Sequence, residues 1–412
     1  HYSDTMMMTR LPQRTVINVC GIQVSASQTP CHHQIDNHTP FEDSMIIPRC
    51  LPILIGSLPL TDHDKAAELI VSCTPEIPLW PQLPKLKREG MIRQFLDGFP
   101  GLVDSDEADT ANARFWVDTS AEPFTLQMAA FYEHFLHALK LPILPEDSPF
   151  ALNPQSARGF FALKQLLERK NIHPRTLKGQ ITGPITTGIG LKDQTGAPLL
   201  YDDTLRDILV KLLSMRARWQ VEQLGSLCSH NAPIIFIDEP GIVSFGSTAY
   251  AGVTRELVSS TVSEIIASIQ QAGGMAGIHI CANGDWEPAL VSDAEIISFD
   301  AYSFFDNLVL YQDQLTAFLE RGGILAWGIV PTGDVEIVAR EQVATLYQKW
   351  QQQLEILCSL GFGWSQILEQ TLIAPACGTG SLSPELAGKV LSMTRNLADL
   401  IRRDYGLEQL QI

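Results

Sequence analysis

From residue 50 onward the chain alternates short β-rich runs with longer stretches whose apolar residues recur at helical spacing. That alternation constrains the fold more than any other feature, because strands separated by helices must run parallel in a shared sheet. Eight such runs can be read: Pro52–Ser57, Ile77–Trp80 (continuing into Pro81 and Gln82), Leu177–Gly183, Pro233–Pro240, Ala276–Cys281, Ile296–Ala301, Gly323–Val330 and Thr371–Cys377. Helical patterns occupy Lys87–Leu96, Ala121–Leu139, Asn153–Lys170, Asp203–Cys228, Arg255–Ala272, Gln342–Leu360 and Pro384–Tyr405, with an excursion over Gly101–Val117.

Nearly every run ends in residues that packing alone does not want. They are Gly56 and Ser57, Gln82, Thr182 and Gly183, Asp238 and Glu239, His279 and Cys281, Asp300, Pro331 and Thr332, and Cys377. In a closed barrel the C-terminal ends of parallel strands converge on one face, where the active sites of that fold lie. An open doubly wound sheet would string them along an edge. The expectation is therefore an α/β fold, a (β/α)8 TIM barrel over residues 46–412 with an insertion before the third strand. Residues 1–45, with three consecutive methionines, His32-His33 and scattered Ser, Thr and Pro, read as a loose, mobile N-terminal extension upstream of a candidate start at Met45. Their one apolar stretch, interrupted by Asn18 and Gly21, is too weak for a secretory signal.

Charge and cysteine usage narrow the function classes. Lys plus Arg number 29 against 46 Asp plus Glu, a net charge of −17, so the basic footprint of a nucleic-acid binder is absent. No run approaches the roughly 18–20 apolar residues of a membrane span. Eight cysteines in 412 residues, with no C-x-x-C pair, are too sparse for a disulfide scaffold. The expectation is a cytoplasmic protein with reduced thiols.

Two of those thiols stand out. In His279-Ile280-Cys281 the imidazole and the thiol are two residues apart on a strand and so project from the same face. Asp300 ends the next strand and Cys377 the last. Two sulfurs, a nitrogen and a carboxylate make a tetrahedral zinc set, and thiolates select zinc over magnesium or calcium. Each residue also has an ordinary reading: buried thiols, a satisfied core histidine, a helix-capping aspartate. Spacing and fold alone leave both readings open.

The stretches GIHICANGDW (277–286), DAEIISFDAY (293–302) and APACGTGSLS (374–383) resemble the catalytic C-terminal barrel of cobalamin-independent methionine synthase. So do IGS (55–57), GQITGP (179–184), IDEP (237–240) and GIVPT (328–332), in order along most of residues 50–405. The wider superfamily includes uroporphyrinogen decarboxylase, and the chain looks like a short, single-barrel member. The resemblance implies zinc held by His279, Cys281, Asp300 and Cys377. It implies a substrate carboxylate received at Ile55, Gly56 and Ser57, and an amino group held by Asp238. Two departures stand out. The family's acidic ligand is usually Glu where this chain has Asp300. The family's Glu near the second strand end, which holds the amino group of homocysteine, is matched here by the neutral Gln82.

The activity so implied is a zinc-dependent methyltransferase that activates a small, homocysteine-like thiol as zinc thiolate for attack on a methyl donor. The folate-holding N-terminal barrel of the full-length synthase has no room in 412 residues. The expected donor is instead a methyl-corrinoid presented by a separate protein. The alternatives are a metal-free decarboxylase of the uroporphyrinogen type and a corrinoid- or tetrapyrrole-binding protein without turnover. The first wants an Arg-rich mouth, which these strand ends lack, and a polyanionic substrate suits a charge of −17 poorly.

Overall fold

The computed structural model describes residues 45–105, 114–244 and 252–408. The expected extension, with His32 and His33, lies outside the described residues except for Met45. The described residues fall within one compact unit, Thr39–Ile412.

Among the described residues nine strands are formed: β1 (Leu51–Pro52), β2 (Leu102–Asp104), β3 (Phe115–Val117), β4 (Lys178–Thr182), β5 (Ile234–Asp238), β6 (Met275–Ile280), β7 (Ile296–Phe299), β8 (Ile324–Val330) and β9 (Thr371–Pro375). Seven make a curled parallel sheet in the order β1-β9-β8-β7-β6-β5-β4. The other two, β2 and β3, pair antiparallel with each other and belong to the insertion that precedes β4. Helices alternate with the sheet strands as expected, over Asp203–Gly225, Arg255–Gln271, Val343–Ser359 and Pro384–Asp404. Several begin on a side-chain cap: Asp202 accepts from Thr204 and Leu205 N–H, Thr254 from Leu257, and Ser383 from Leu386. The expected helix over Lys87–Leu96 is instead two short 3₁₀ turns, Lys87–Glu89 and Arg93–Phe95.

The closed eight-stranded barrel needs correction. The sheet has seven regular strands and forms a half-barrel, because the run expected as the second strand does not form one. Pro75, Pro78, Pro81 and Pro84 recur every third residue through it, and proline has no N–H to give a ladder. What pairing survives uses the groups proline leaves. Lys178 N–H donates to Pro78 C=O at 2.9 Å, Gln82 N–H to Gly56 C=O at 3.0 Å, and Leu58 N–H to Gln82 C=O at 2.9 Å. Isolated bridges thus join this segment to β4 on one side and to the Gly56–Leu58 turn on the other.

The sheet strands are buried on both faces, as parallel strands covered by helices are. Their concave side holds a separate apolar cluster that includes Leu51, Ile53, Ile234, Phe236, Met275, Ile296, Ile324 and Leu372. Gly277 makes room for one of these: a Cβ there would lie 2.4 Å from the Phe236 ring. Above that floor, at the C-terminal strand ends, the interior turns polar.

Candidate metal centre

Backbone register sets the centre. Asp238 on β5 pairs with His279 on β6, and His279 pairs with Ser298 on β7, so the three side chains share the concave face. Cys281 follows two residues after His279, and Cys377 follows the end of β9. The ligand atoms of His279, Cys281 and Cys377 all lie within 4.8 Å of one another.

The imidazole is prepared for a ligand. His279 is 2% exposed, and its Nδ1 lies 2.9 Å from Ser298 Oγ. Its Nε2 is buried with no hydrogen-bond partner. A buried nitrogen without a partner is costly. A ring pinned through Nδ1 with a bare Nε2 is the arrangement of metal-ligating histidines, whose second nitrogen is fixed by an outer partner. The sulfurs behave as a pair. The neighbouring Cys377 and the adjacent His279 pull the Cys281 thiol well below the usual range. The proximity of Cys281, together with burial, drives Cys377 up. Without a metal the pair shares one proton. Zinc would replace it, and two thiolates with one imidazole nitrogen fit three corners of its tetrahedron.

Asp300, the fourth expected ligand, sits outside this trio. Its Oδ1 accepts the Ser303 N–H at 2.9 Å and caps helix Ala301–Leu308. Burial raises its carboxyl pKa above the usual range, and the nearby Cys281 charge adds to the effect.

Asp238 is buried, and its Oδ1 has no partner. Burial lifts its carboxyl to about 6, against the pull of Lys178 and His279. Lys178, from β4, is fully buried inside the sheet. Its Nζ donates to Ile55 C=O at 2.7 Å and lies 4.4 Å from the centre of the Phe236 ring. Burial lowers its pKa to about 8, opposed by the Asp238 charge.

Ile55, Gly56 and Ser57 line one small cavity together with Cys377, Gly378 and Thr379. Ser57 Oγ accepts the Gly380 N–H at 3.2 Å, and Ser57 C=O accepts the Thr379 N–H at 2.9 Å. A Cβ at Gly378 would sit 2.0 Å from Ser57 Oγ, so this close approach requires glycine. Gln82 is buried, with its Nε2 donating to Gln94 Oε1 at 2.8 Å and its Oε1 against Gly56.

Other polar and aromatic residues near the strand ends are structural. Glu239 accepts the N–H groups of Ile185 and Thr186 and so anchors the helix that begins at Pro184. Trp80 and Trp327 pack in the core, donating to Gln220 and Gln353. Asp285 pairs with Arg255, and Asn283 accepts from Asn307. Among the described residues Cys50, Cys73, Cys228 and Cys358 are also free thiols. Ser298 and Lys178 were not anticipated. The only sequence signals were a serine two residues before Asp300 and a lone cation inside an apolar run.

No protein-family model and no curated protein matches the chain. Solved structures with which it shares a likeness include a B12-independent methionine synthase from Shewanella sp. W3-18-1 in complex with selenomethionine. That match has 13% identity over 87% of this chain and 99% of that one, with a TM-score of 0.49. A methyltransferase from Methanosarcina mazei matches at 13% identity over 81% and 84% of the two chains, also with a TM-score of 0.49. A pneumococcal exo-β-D-N-acetylglucosaminidase module follows at 9% identity over 85% of each chain, TM-score 0.40. At such identities and scores a likeness carries no function, and the functional reading rests on the site itself. Among the described residues no helix is long and apolar enough to cross a membrane.

Proposed function

We propose that the protein is a zinc-dependent methyltransferase acting on a small thiol of the homocysteine type. The observation that carries this is the buried trio His279, Cys281 and Cys377, whose imidazole Nε2 has no partner. The ordered motif resemblance to methionine synthase supports it.

His279, Cys281 and Cys377 would hold the zinc and leave a fourth position to the substrate sulfur. When bound, zinc supplies Lewis acidity that keeps a thiol deprotonated at neutral pH, where a free thiol of pKa near 8.5 is mostly protonated. No general base on sulfur is then needed. Ser298 holds the His279 ring in place through Nδ1. The turn at Gly56 and Ser57 would receive a carboxylate, through backbone and the Ser57 O–H. Asp238 Oδ1 awaits a hydrogen-bond donor from the substrate. The apolar floor around Phe236 keeps water from beneath the sulfur. The methyl donor we propose is a methylated corrinoid presented by a separate protein.

Elemental analysis after gentle purification should find about one zinc per chain, lost in His279→Ala and Cys281→Ala. Zinc-loaded protein should transfer methyl from methylcobalamin or a methyl-corrinoid protein to a thiol. Absence of transfer to every thiol tried, with Cys377→Ala indistinguishable from the parent, overturns the reading.

A further inference from the structure

The insertion before β4 carries a helix, Phe124–Ala138, that has apolar residues on both of its faces. Phe131, Phe135 and Ala138 turn inward and are buried. This side packs on helix Asp203–Gly225, where Tyr132 O–H donates to Asp207 at 2.6 Å and the Lys211 ammonium lies 5.5 Å from the centre of the Phe135 ring. On an ordinary surface helix the opposite side is polar. Here Leu126 is 75% exposed and Leu136 57%, with Ala129 and Ala130 exposed between them. Leu139 and Ile143 carry the exposed strip past the helix end. Exposed leucines scattered singly are normal, whereas a contiguous apolar strip calls for a partner.

Charge says which partner. Glu122 precedes Leu126 by one turn, and Lys140 follows Leu136 by one turn. Both are exposed, and among the described residues neither forms an ion pair. The strip thus reads, in chain order, acid, leucine, two alanines, leucine, base. Reversed against itself, that order is its own complement. Glu122 then meets Lys140 of the partner subunit, and Leu126 meets Leu136 of the partner subunit. A two-fold axis near the alanines repeats each contact, as a self-complementary interface requires. The small alanine side chains at the axis let the two helices approach to about 8 Å. Glu133 lies on the same face, one turn from His137 of its own chain. A parallel pairing would instead set acid against acid and base against base.

We infer that the outer face of helix Phe124–Ala138 is a dimer interface, on which the same helix of a second copy packs antiparallel. Sedimentation equilibrium of the full chain at about 50 μM should give twice the 45.5 kDa chain mass. Leu126→Asp changes an exposed side chain, so circular dichroism should match the parent while the dimer weakens about 100-fold or more. Glu122→Lys and Lys140→Glu should each weaken self-association about ten-fold, because each sets like charges together at both ends of the helix pair. Mixed in equal amounts, these two variants should recover the parent's affinity, since their heterodimer pairs opposite charges at both ends. A monomeric parent overturns the inference and leaves the strip to a partner of different sequence. So does Leu126→Asp protein that dimerises as tightly as the parent, or a mixture that associates no better than its two components.

Discussion

Two neighbouring rows of the sheet interior follow the same strands and do opposite things. In the lower row Phe236 pairs with Gly277, Gly277 with Ile296, and Ile296 with Ile324. Two residues further along, Asp238 pairs with His279, His279 with Ser298, and Ser298 with Ala326. The lower row is apolar and closed over. The upper row holds buried polar atoms with unmet hydrogen-bonding capacity, namely Asp238 Oδ1 and His279 Nε2. One pleat repeat separates residues that stabilise the sheet from residues whose burial is costly until a ligand arrives. The rigid lower row is what can hold such costly groups in place.

The sharpest way to break this contrast is to damage the lower row. Phe236→Ala removes a fully buried ring and should cost about 3–5 kcal/mol of unfolding free energy, read from urea denaturation. Zinc per folded chain should hardly change. A loss below about 1 kcal/mol would mean that the floor is not tightly packed.

Ser298→Ala tests the upper row. Loss of the contact to His279 Nδ1 should weaken zinc binding by about 10–100-fold. The zinc-free protein should lose only about 1 kcal/mol, the scale of one buried hydrogen bond. Competition with a chelator of known affinity measures the first effect and denaturation the second. The contrast fails if stability falls steeply while zinc affinity holds.

The sequence showed the upper row only along each strand. His279 and Cys281 could be paired because residues two apart must share a face. Ser298 could not, since its place beside His279 is a matter of lateral register, which no single run reveals. The strand run at Ile77–Trp80 was misleading for a related reason. Its side chains are those of a buried strand, but Pro78 and Pro81 remove the donors on which a ladder depends, and apolar patterning does not count donors. Gly90, extended at φ −66° and ψ 150°, likewise cuts the Lys87–Leu96 pattern into two short turns. Glu239, a buried charge at a strand end, is satisfied by the free N–H groups of a helix start, a partner that the run around it does not disclose. The long amphipathic helices with Asp202, Thr254 and Ser383 at their starts were the most legible parts of the chain. There local capping and packing agree.

The thiol pair provides a pH test of the upper row. In zinc-free protein the neighbouring Cys377 and His279 hold the Cys281 thiol well below the range of ordinary thiols, whereas burial raises Cys50 and Cys358. Cys281 is then thiolate throughout the range from pH 6 to 8. Its alkylation by iodoacetamide should be nearly flat there, while that of Cys358 climbs about ten-fold per pH unit. At pH 6 Cys281 should react about ten-fold faster than Cys358, and zinc should protect it. A Cys281 rate that climbs with pH like an ordinary thiol would show that the two sulfurs do not share a proton.

The smallest effect concerns the boundary of the upper row. Asp300 ends β7 where a fourth ligand was expected, yet its carboxylate caps the next helix. Asparagine caps a helix about as well as aspartate, whereas alanine does not. Asp300→Ala should cost about 1 kcal/mol of stability, and Asp300→Asn only a few tenths. If the trio alone holds the ion, zinc affinity should be the same in both variants as in the parent. The asparagine variant decides the matter, since it keeps the cap and removes the charge a metal would want. If Asp300→Asn is as stable as the parent but binds zinc ten-fold more weakly or worse, the carboxylate leaves its cap to reach the ion, and the polar row extends one residue further than the apo geometry places it.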